Sequence, residues 1–398
     1  MPIVRKITVL LSSIAFIFFF FFHNDGLQVA PHPMQLWRKS VVDEAQLRKP
    51  ADSHLGFDAV VAVSPEGSWR QKKLLQQAAI TEIDITIPKL PKWTDDDIGN
   101  FTERLAYGGR ESAIGSMMAW LSHHRVLEWF LESKHETILI MEDDMDWDIR
   151  MRTVQIPRAA AAVRSLLQPA TSYWGNTKAW DVLYLGHCGD WLQKLEKGFD
   201  SIEPSNLTSR PHIVYKDPTM PRREELHPFS RKFLDSLQLP ERTRAIHASG
   251  HALCTFAYAV NRRSAKKILE EIAPISRPES FAFDAAMLLG CQHRGLQCYT
   301  VNPEIFHHQK GLSIIKQVEH MNQEWLPPVD KEGLQQTMER GETSNIDCGF
   351  LSGEFAFQDP KIMEYLREEV GRKGRCLKQG RDGQPFDMGW EGSGFTRR

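Results

Sequence analysis

Apolar and polar positions divide the chain into two kinds of segment. Short apolar runs rich in β-branched residues recur at 57–63, 83–87, 137–141, 181–186, 254–260 and 297–301. Each is short and bounded by turn-forming residues, so each is predicted as a strand. The run Thr137-Ile138-Leu139-Ile140-Met141 reads as a strand buried on both faces. Between the runs, apolar positions at helical spacing predict helices over 69–79, 111–133, 154–167, 262–272 and 281–293. In the second of these Ile114, Met117, Met118 and Leu121 line one face, followed by Leu127, Phe130 and Leu131. His123 and His124 fall mid-helix and read as packed or exposed histidines without chemistry. Residues 89–100 read as loop. Residues 191–245, rich in proline and carrying Arg222, Arg223, Arg231, Arg242 and Arg244, read as a long excursion or lid. Alternating strands and helices predict an α/β domain.

The amino terminus has a different pattern. Residues 7–22 are apolar apart from Thr8, Ser12 and Ser13, and follow Arg5 and Lys6. As a helix this segment spans about 24 Å at ~1.5 Å per residue. A cleaved signal peptide and a retained anchor both fit. The cleavage candidate Gln28-Val29-Ala30 lacks a small residue at its first position and precedes Pro31, which favours the anchor. Basic residues on its amino-terminal side place that end in the cytosol and the rest in the lumen. The expected organisation is an anchor over 1–23, a polar stem over 24–56, a globular domain over 57–320, and a carboxyl-terminal wrap or partly disordered tail over 321–398. The expected location is that of a single-pass type II membrane protein of the Golgi or endoplasmic reticulum lumen, with secretion as the alternative. The sequons at Asn100 and Asn206 agree with a lumenal domain.

Composition mainly excludes. A formal net charge of −2 gives no field directed at nucleic acid. No GxGxxG or GxxxxGK[ST] loop follows the first strand, which argues against a dinucleotide site or a P-loop. Six cysteines without a CxxC pair argue against structural zinc and allow one to three disulfides of unread connectivity.

Candidate chemistry concentrates where the buried strand ends. Glu142, Asp143, Asp144, Asp146 and Asp148 follow it directly. Carboxylates so crowded repel one another and need a cation. Carboxyl ends of strands form the ligand crevice of an open α/β sheet. A hard ion such as Mg²⁺ or Mn²⁺, shared with a substrate phosphate, suits such oxygens. Asp144 is expected to hold the metal, and Glu142, on the same strand face with Asp143 turned away, to reach metal or nucleotide. The frames Asp144-Met145-Asp146 and Asp146-Trp147-Asp148 are rivals to Glu142-Asp143-Asp144. His307 and His308, after a late strand, are further metal or phosphate ligands, with surface histidines as the alternative.

Several segments together resemble glycosyltransferase family 25. Gly115, Leu121-Ser122-His123 and Ile138-Leu139-Ile140-Met141-Glu142-Asp143-Asp144 are similar to that family's IG…LSH…LEDD pattern. Trp180-Asp181 through Gly186 resembles its WDxxxLG strand. Thr255-Phe256-Ala257-Tyr258-Ala259 with Ser264-Ala265-Lys266 resembles its GAYxxSxxxAxKL segment, and Asp284 falls where the family has an acid opening a helix. With Trp174-Gly175 and Leu185 to Asp190, the set looks most like the fungal branch. The likeness spans residues 57–320. It departs from the family in the longer excursion and in having only Arg70 after the first strand, where an arginine-rich turn is usual.

The resemblance implies a GT-A-type, Rossmann-like nucleotide-sugar transferase fold with a mixed, mostly parallel central sheet. It implies transfer of a hexose, galactose first, from a UDP-sugar to a glycan or glycoprotein hydroxyl, with Mn²⁺ (or Mg²⁺) and inversion. Glu142, Asp143 and Arg70 would meet the donor; Asp144, Glu142 and His307 the metal. Inversion is a single displacement needing one base. Asp284 is expected in that role, kept ionised by its helix dipole, with helix capping as its alternative role and Asp190 as the alternative base. Competing readings are an inactive carbohydrate-binding or adhesion-type protein on the same fold, and a metal-dependent phosphohydrolase.

Overall fold

The computed structural model describes residue 47 and residues 49–104, 114–190, 211–308 (without 221, 227 and 281) and 359–376. In chain order the elements are β1 (Ala59–Val63), α1 (Trp69–Thr81), β2 (Ile85–Thr86), α2 (Asp95–Arg104), α3 (Ile114–Glu132), β3 (Thr137–Glu142), β4 (Met145–Trp147), α4 (Ile156–Leu166), β5 (Val182–Gly186), β6 (His212–Lys216), α5 (Pro228–Ser236), β7 (Thr243–Ala248), β8 (Ala257–Asn261), α6 (Arg262–Lys267), α7 (Phe283–His293), β9 (Cys298–Asn302), β10 (Phe306–His308) and α8 (Pro360–Leu366).

Eight strands make one sheet in the order β2-β1-β3-β8-β5-β9-β7-β6, and β4 and β10 form a separate antiparallel ribbon. β1 is parallel to β2 and β3, and β5 to β9. β8 is antiparallel to β3 and β5, and β7 to β9 and β6. Following these pairings across the sheet, β7 and β8 run against the other strands. The chain is therefore α/β with a large mixed sheet of Rossmann-like character.

Side-chain alternation sorts the core into two layers. Val60, Ala62, Leu139 and Met141 pack with Leu74 and Ala78 of α1 and with the alanines of α4. Val61, Val63, Ile138, Ile140 and Tyr258 pack with Met117, Trp120 and Phe130 of α3 and with Phe283 and Met287 of α7. The strands between these layers show near-continuous apolar runs because both faces are buried.

Three expectations change. Residues 95–104 form α2, which takes in the second half of the 89–100 segment expected as loop. Asp95, Asp96 and Asp97 fill its first turn, where the helix dipole favours acids. The Thr94 amide and hydroxyl donate to Asp97 and the Asp97 amide donates back to Thr94, a reciprocal cap. Residues 211–245 are not a lid: β6, α5 and β7 build the sheet's far edge. Arg244 misleads because it lies inside β7, buried against Asp217 Oδ2 at 2.6 Å and the carbonyls of Pro303 and Glu304. The stem ends earlier than residue 56, since Ala51 and Leu55 already belong to the core.

The described carboxyl-terminal segment wraps back onto α1. Leu366, Val370 and Cys376 enter the core, and Arg372 pairs with Glu82. At Gly371 a Cβ would lie 2.0 Å from the Ile80 carbonyl oxygen, so only glycine permits this approach. Disulfides join Cys188 to Cys254 and Cys291 to Cys298, and Cys376 is also disulfide-bonded. Segment 7–22, Asn206 and residues 309–358 lie outside the described residues. Among the described residues no helix is long and apolar enough to cross a membrane.

Candidate active site

The chain leaves β1 toward β2, at one edge, and leaves β3 toward β5, on the other side. Connections that diverge between neighbouring parallel strands open a crevice at their carboxyl ends, where ligands bind in open α/β sheets. The polar residues after β1 and β3 meet at this point. Ser64 Oγ donates to Asp143 Oδ2 at 2.8 Å, and Ser68 Oγ donates to the same oxygen at 2.7 Å. Arg70 Nη1 lies 2.7 Å from Asp144 Oδ2 and 3.7 Å from Asp143 Oδ1. Ser68 also caps α1, its hydroxyl accepting from the Arg70 amide.

Arg70 sits in the first turn of α1, where the dipole disfavours a cation. The two carboxylates at the end of β3 offset that cost. Arg70, Ser64 and Asp143 are buried, whereas the Asp144 side chain keeps 18 % of its surface exposed. The cluster therefore has one carboxylate open toward the crevice.

Asp144 does not share a face with Glu142, contrary to expectation. β3 ends at Glu142, and Asp143-Asp144 form the turn into β4, so strict alternation stops one residue too soon. Glu142 keeps the strand's phase and turns to the α3 layer, where its Oε1 lies 3.6 Å from His123 Nε2. Asp143 takes the opposite face and meets α1. Asp144, released by the turn, joins it at Arg70.

Asp146 and Asp148, the rival acids, are fully buried. Asp146 accepts from the Trp147 amide, and Asp148 is held by Arg150 through both of its carboxylate oxygens. Burial raises the affinity of Asp148 for its proton, with Arg150 opposing. Both belong to the interior, which leaves the frame at 142–144 for the crevice.

The late histidines are brought near by the ribbon. β10 pairs with β4 so that His307 stands opposite Asp146 and His308 opposite Met145. His307 is buried, with Nδ1 3.4 Å from Glu304 Oε1. Asp144, Glu142 and His307 do not come together as a ligand set: among the described residues no group of three or more His, Cys, Asp or Glu side chains could hold a metal ion. The reason is the register of the ribbon, which spends His307 on the interior. A Mg²⁺ or Mn²⁺ site needs no such cage, because these ions are commonly bound through one or two carboxylates with substrate phosphates and waters completing the shell. Asp144 fits that use: it is partly exposed, lies at the switch point and already faces a cation.

Asp284 lies in the first turn of α7, two residues after the N-cap position, which is Ala282. Its Oδ1 accepts from the Ala285 amide at 2.8 Å. Its carboxyl is held above the ordinary carboxylate range, not below it as the helix dipole alone predicts. Burial is the main cause; the Ala285 amide pulls the other way, and the charge of Glu142 pushes it further up. Glu142 and Asp284 are therefore close enough to influence each other electrostatically.

Asp190, the alternative base, is structural. It is buried and accepts hydrogen bonds from the amides of Gly250 and His251 and the hydroxyls of Ser249 and Thr300. Burial opposes its ionisation, but His247, the His251 amide, Thr300 and His187 outweigh burial and hold the carboxyl below its ordinary range.

The sequence reading passed over Ser64 and Ser68, and read His123 as a packed or exposed histidine without chemistry. The turn Ser64-Pro65-Glu66-Gly67-Ser68 contained the signal for the first two, as a hydroxyl cap directly ahead of a helix. His123 is 2 % exposed in an otherwise apolar helix face. A comparison with protein-family models finds none that matches the chain, and a comparison with curated proteins likewise finds no match.

Proposed function

We propose that this chain is a metal-dependent, inverting glycosyltransferase of the GT-A type, similar to family 25. It would move a hexose, with galactose as first candidate, from a UDP-sugar to a glycan or glycoprotein hydroxyl. The observation that carries this reading is the convergence of Ser64, Ser68, Arg70, Asp143 and Asp144 at the divergence of β1 and β3. Cationic, helix-terminal and carboxylate groups at such a crevice suit a diphosphate and its counter-ion.

In this reading Arg70 and the first amides of α1 meet the diphosphate. Asp143, locked by the two serines, holds Arg70 in place. Asp144 would hold Mn²⁺ or Mg²⁺, which would supply Lewis-acid stabilisation of charge on the departing diphosphate, and Glu142, turned to the other face of β3, would meet the donor. Asp284 takes the proton of the acceptor hydroxyl as its oxygen forms the bond to the anomeric carbon and the bond to UDP breaks. Its proton affinity, raised by burial, makes it a stronger base than an exposed aspartate. A phosphohydrolase would need two metals and further ligands, which the described carboxylates do not assemble.

A lumenal location, held by segment 7–22 in the Golgi or endoplasmic reticulum, agrees with the disulfides and with the exposure of Asn100 on α2. The test is a panel of UDP-sugars incubated with the full-length protein and Mn²⁺. The expected result is UDP release from one preferred hexose donor, lost in EDTA and reduced about 10²–10³-fold by Asp144→Asn. Donor binding without turnover would instead identify a carbohydrate-binding protein, and full activity in EDTA would remove the metal from the scheme.

A further inference from the structure

A second polar cluster lies in the α3 layer, on the face of β3 opposite Arg70. His123 is its centre. Its Nδ1 lies 3.1 Å from Tyr258 Oη, on β8, and its Nε2 lies 3.6 Å from Glu142 Oε1, on β3. Its ring is parallel to Phe283, with centroids 4.8 Å apart and planes at 8°. Phe283 adjoins Asp284 at the start of α7. Trp120, one turn earlier on α3, packs edge-on against the same Phe283 at 5.9 Å and donates its indole N–H to the Ala273 carbonyl.

One tautomer serves both contacts. A tyrosine hydroxyl buried this deeply stays protonated and donates to the nearest acceptor. When Nδ1 accepts from Tyr258, a hydrogen on Nε2 points at Glu142. A buried imidazole oriented by one partner and aimed at a carboxylate is an orienting device. The groups facing it are Glu142 from β3, Tyr258 from β8, and Phe283 and Asp284 from α7. We propose that His123 is a positioning residue of this site: its Nε2 edge faces and orients Glu142 on the donor side, and its ring braces Phe283, and through it Asp284, on the acceptor side. This assignment rests on the glycosyltransferase reading above.

A histidine that merely fills the core would be replaceable by an aromatic residue of similar shape without effect on the ligand. The test uses full-length protein and three variants. His123→Phe with Tyr258→Phe removes the N–H while keeping the stack, and strands no buried hydroxyl. Phe283→Leu removes the stack and keeps the N–H. Tyr258→Phe alone frees Nδ1 and serves if the double variant does not fold. UDP-galactose affinity is measured by calorimetry with Mn²⁺, turnover by UDP release, and the His123 tautomer by nitrogen-15 shifts.

The double variant is expected to bind UDP-galactose about tenfold more weakly, as for a lost polar contact that orients a partly exposed carboxylate, with kcat falling by a smaller factor. Phe283→Leu is expected to show the reverse split, a loss of about tenfold or more in kcat from misplacement of the base. Wild-type protein should show the Nε2–H tautomer, and Tyr258→Phe should lose it. Wild-type affinity in a folded double variant, or in folded Tyr258→Phe with an unchanged tautomer, overturns the assignment alone. A wild-type protein that binds no UDP-sugar overturns the functional reading and the assignment with it.

Discussion

Arg70→Ala tests the electrostatic logic of the crevice without requiring that the substrate be known. Arg70 is buried, and its guanidinium lies 2.7 Å from Asp144 and 3.7 Å from Asp143. Removing one member of a fully buried pair costs about 3–5 kcal/mol, because the remaining charge is left without its partner. Two features reduce that figure here. Asp143 keeps both serine hydroxyls, and the Asp144 side chain is 18 % exposed, so water takes over part of the role. An expected loss of about 2–3 kcal/mol remains. At about 2–4 °C per kcal/mol for a domain of this size, Tm should fall by roughly 4–12 °C. The carboxylates left behind should then accept a divalent ion more readily than in the wild type. An ion at ~100 times its Kd returns about 2.7 kcal/mol, so Mg²⁺ or Mn²⁺ should raise Tm of the variant distinctly more than that of the wild type. The assay is thermal unfolding by circular dichroism, with and without the ion. A variant melting within about 1 °C of wild type, or an equal metal shift in both proteins, would refute the argument.

Three other expectations concern acids and the surface. Asp284→Asn should lower kcat about 10²–10⁴-fold with donor affinity kept. Because the folded-state pKa of Asp284 is raised above its ordinary 3.8, its contribution to stability is full below that value and is lost as pH rises through the folded pKa; the variant should therefore melt above wild type at neutral pH, with the gap closing toward acid, and the opposite trend would count against the burial argument. Asp190 shows the opposite sign: its folded pKa lies below 3.8, so its stabilisation is present above that value and is lost as pH falls through the folded pKa. Asp190→Asn should cost about 1.5–3 kcal/mol at neutral pH in chemical denaturation, while UDP-sugar affinity is kept; loss of affinity in a folded variant would return Asp190 to the site. Asn100 is exposed on α2, so protein expressed with its native leader should lose mass on treatment with an N-glycosidase, and Asn100→Gln should reduce that loss; an unaltered mass in both would oppose a lumenal location.

The chain's period-two and helical patterns specified most strands and helices locally, because alternation and 3.6-residue spacing are properties of short segments. β3 with its acidic end, the long helix α3 and the helix opening near Asp284 were legible for that reason. Arg70 was legible as the one arginine shortly after the first strand, where the resembled family has several. Elements stabilised by pairing rather than by pattern were not. β7 contains Arg244, a residue that reads as solvated until Asp217 is placed beside it. α2 begins with three aspartates, which read as loop until they are placed at a helix amino terminus.

The site divides in the same way. Sequence determined that Glu142, Asp143 and Asp144 would stand at the end of a buried strand. It did not determine what each would face. Asp143 meets Ser64 across a separation of 79 residues, and His123 meets Tyr258 across 135. Such contacts exist only once β1, β3 and β8 lie side by side. The strand's last residue sends Glu142 to α3, the turn after it sends Asp144 to Arg70, and the ribbon register takes His307 into the interior. A shift of one residue in any of these would exchange the faces, so the partners of the carboxylates are decided by sheet register, a long-range quantity that local residue preference does not contain.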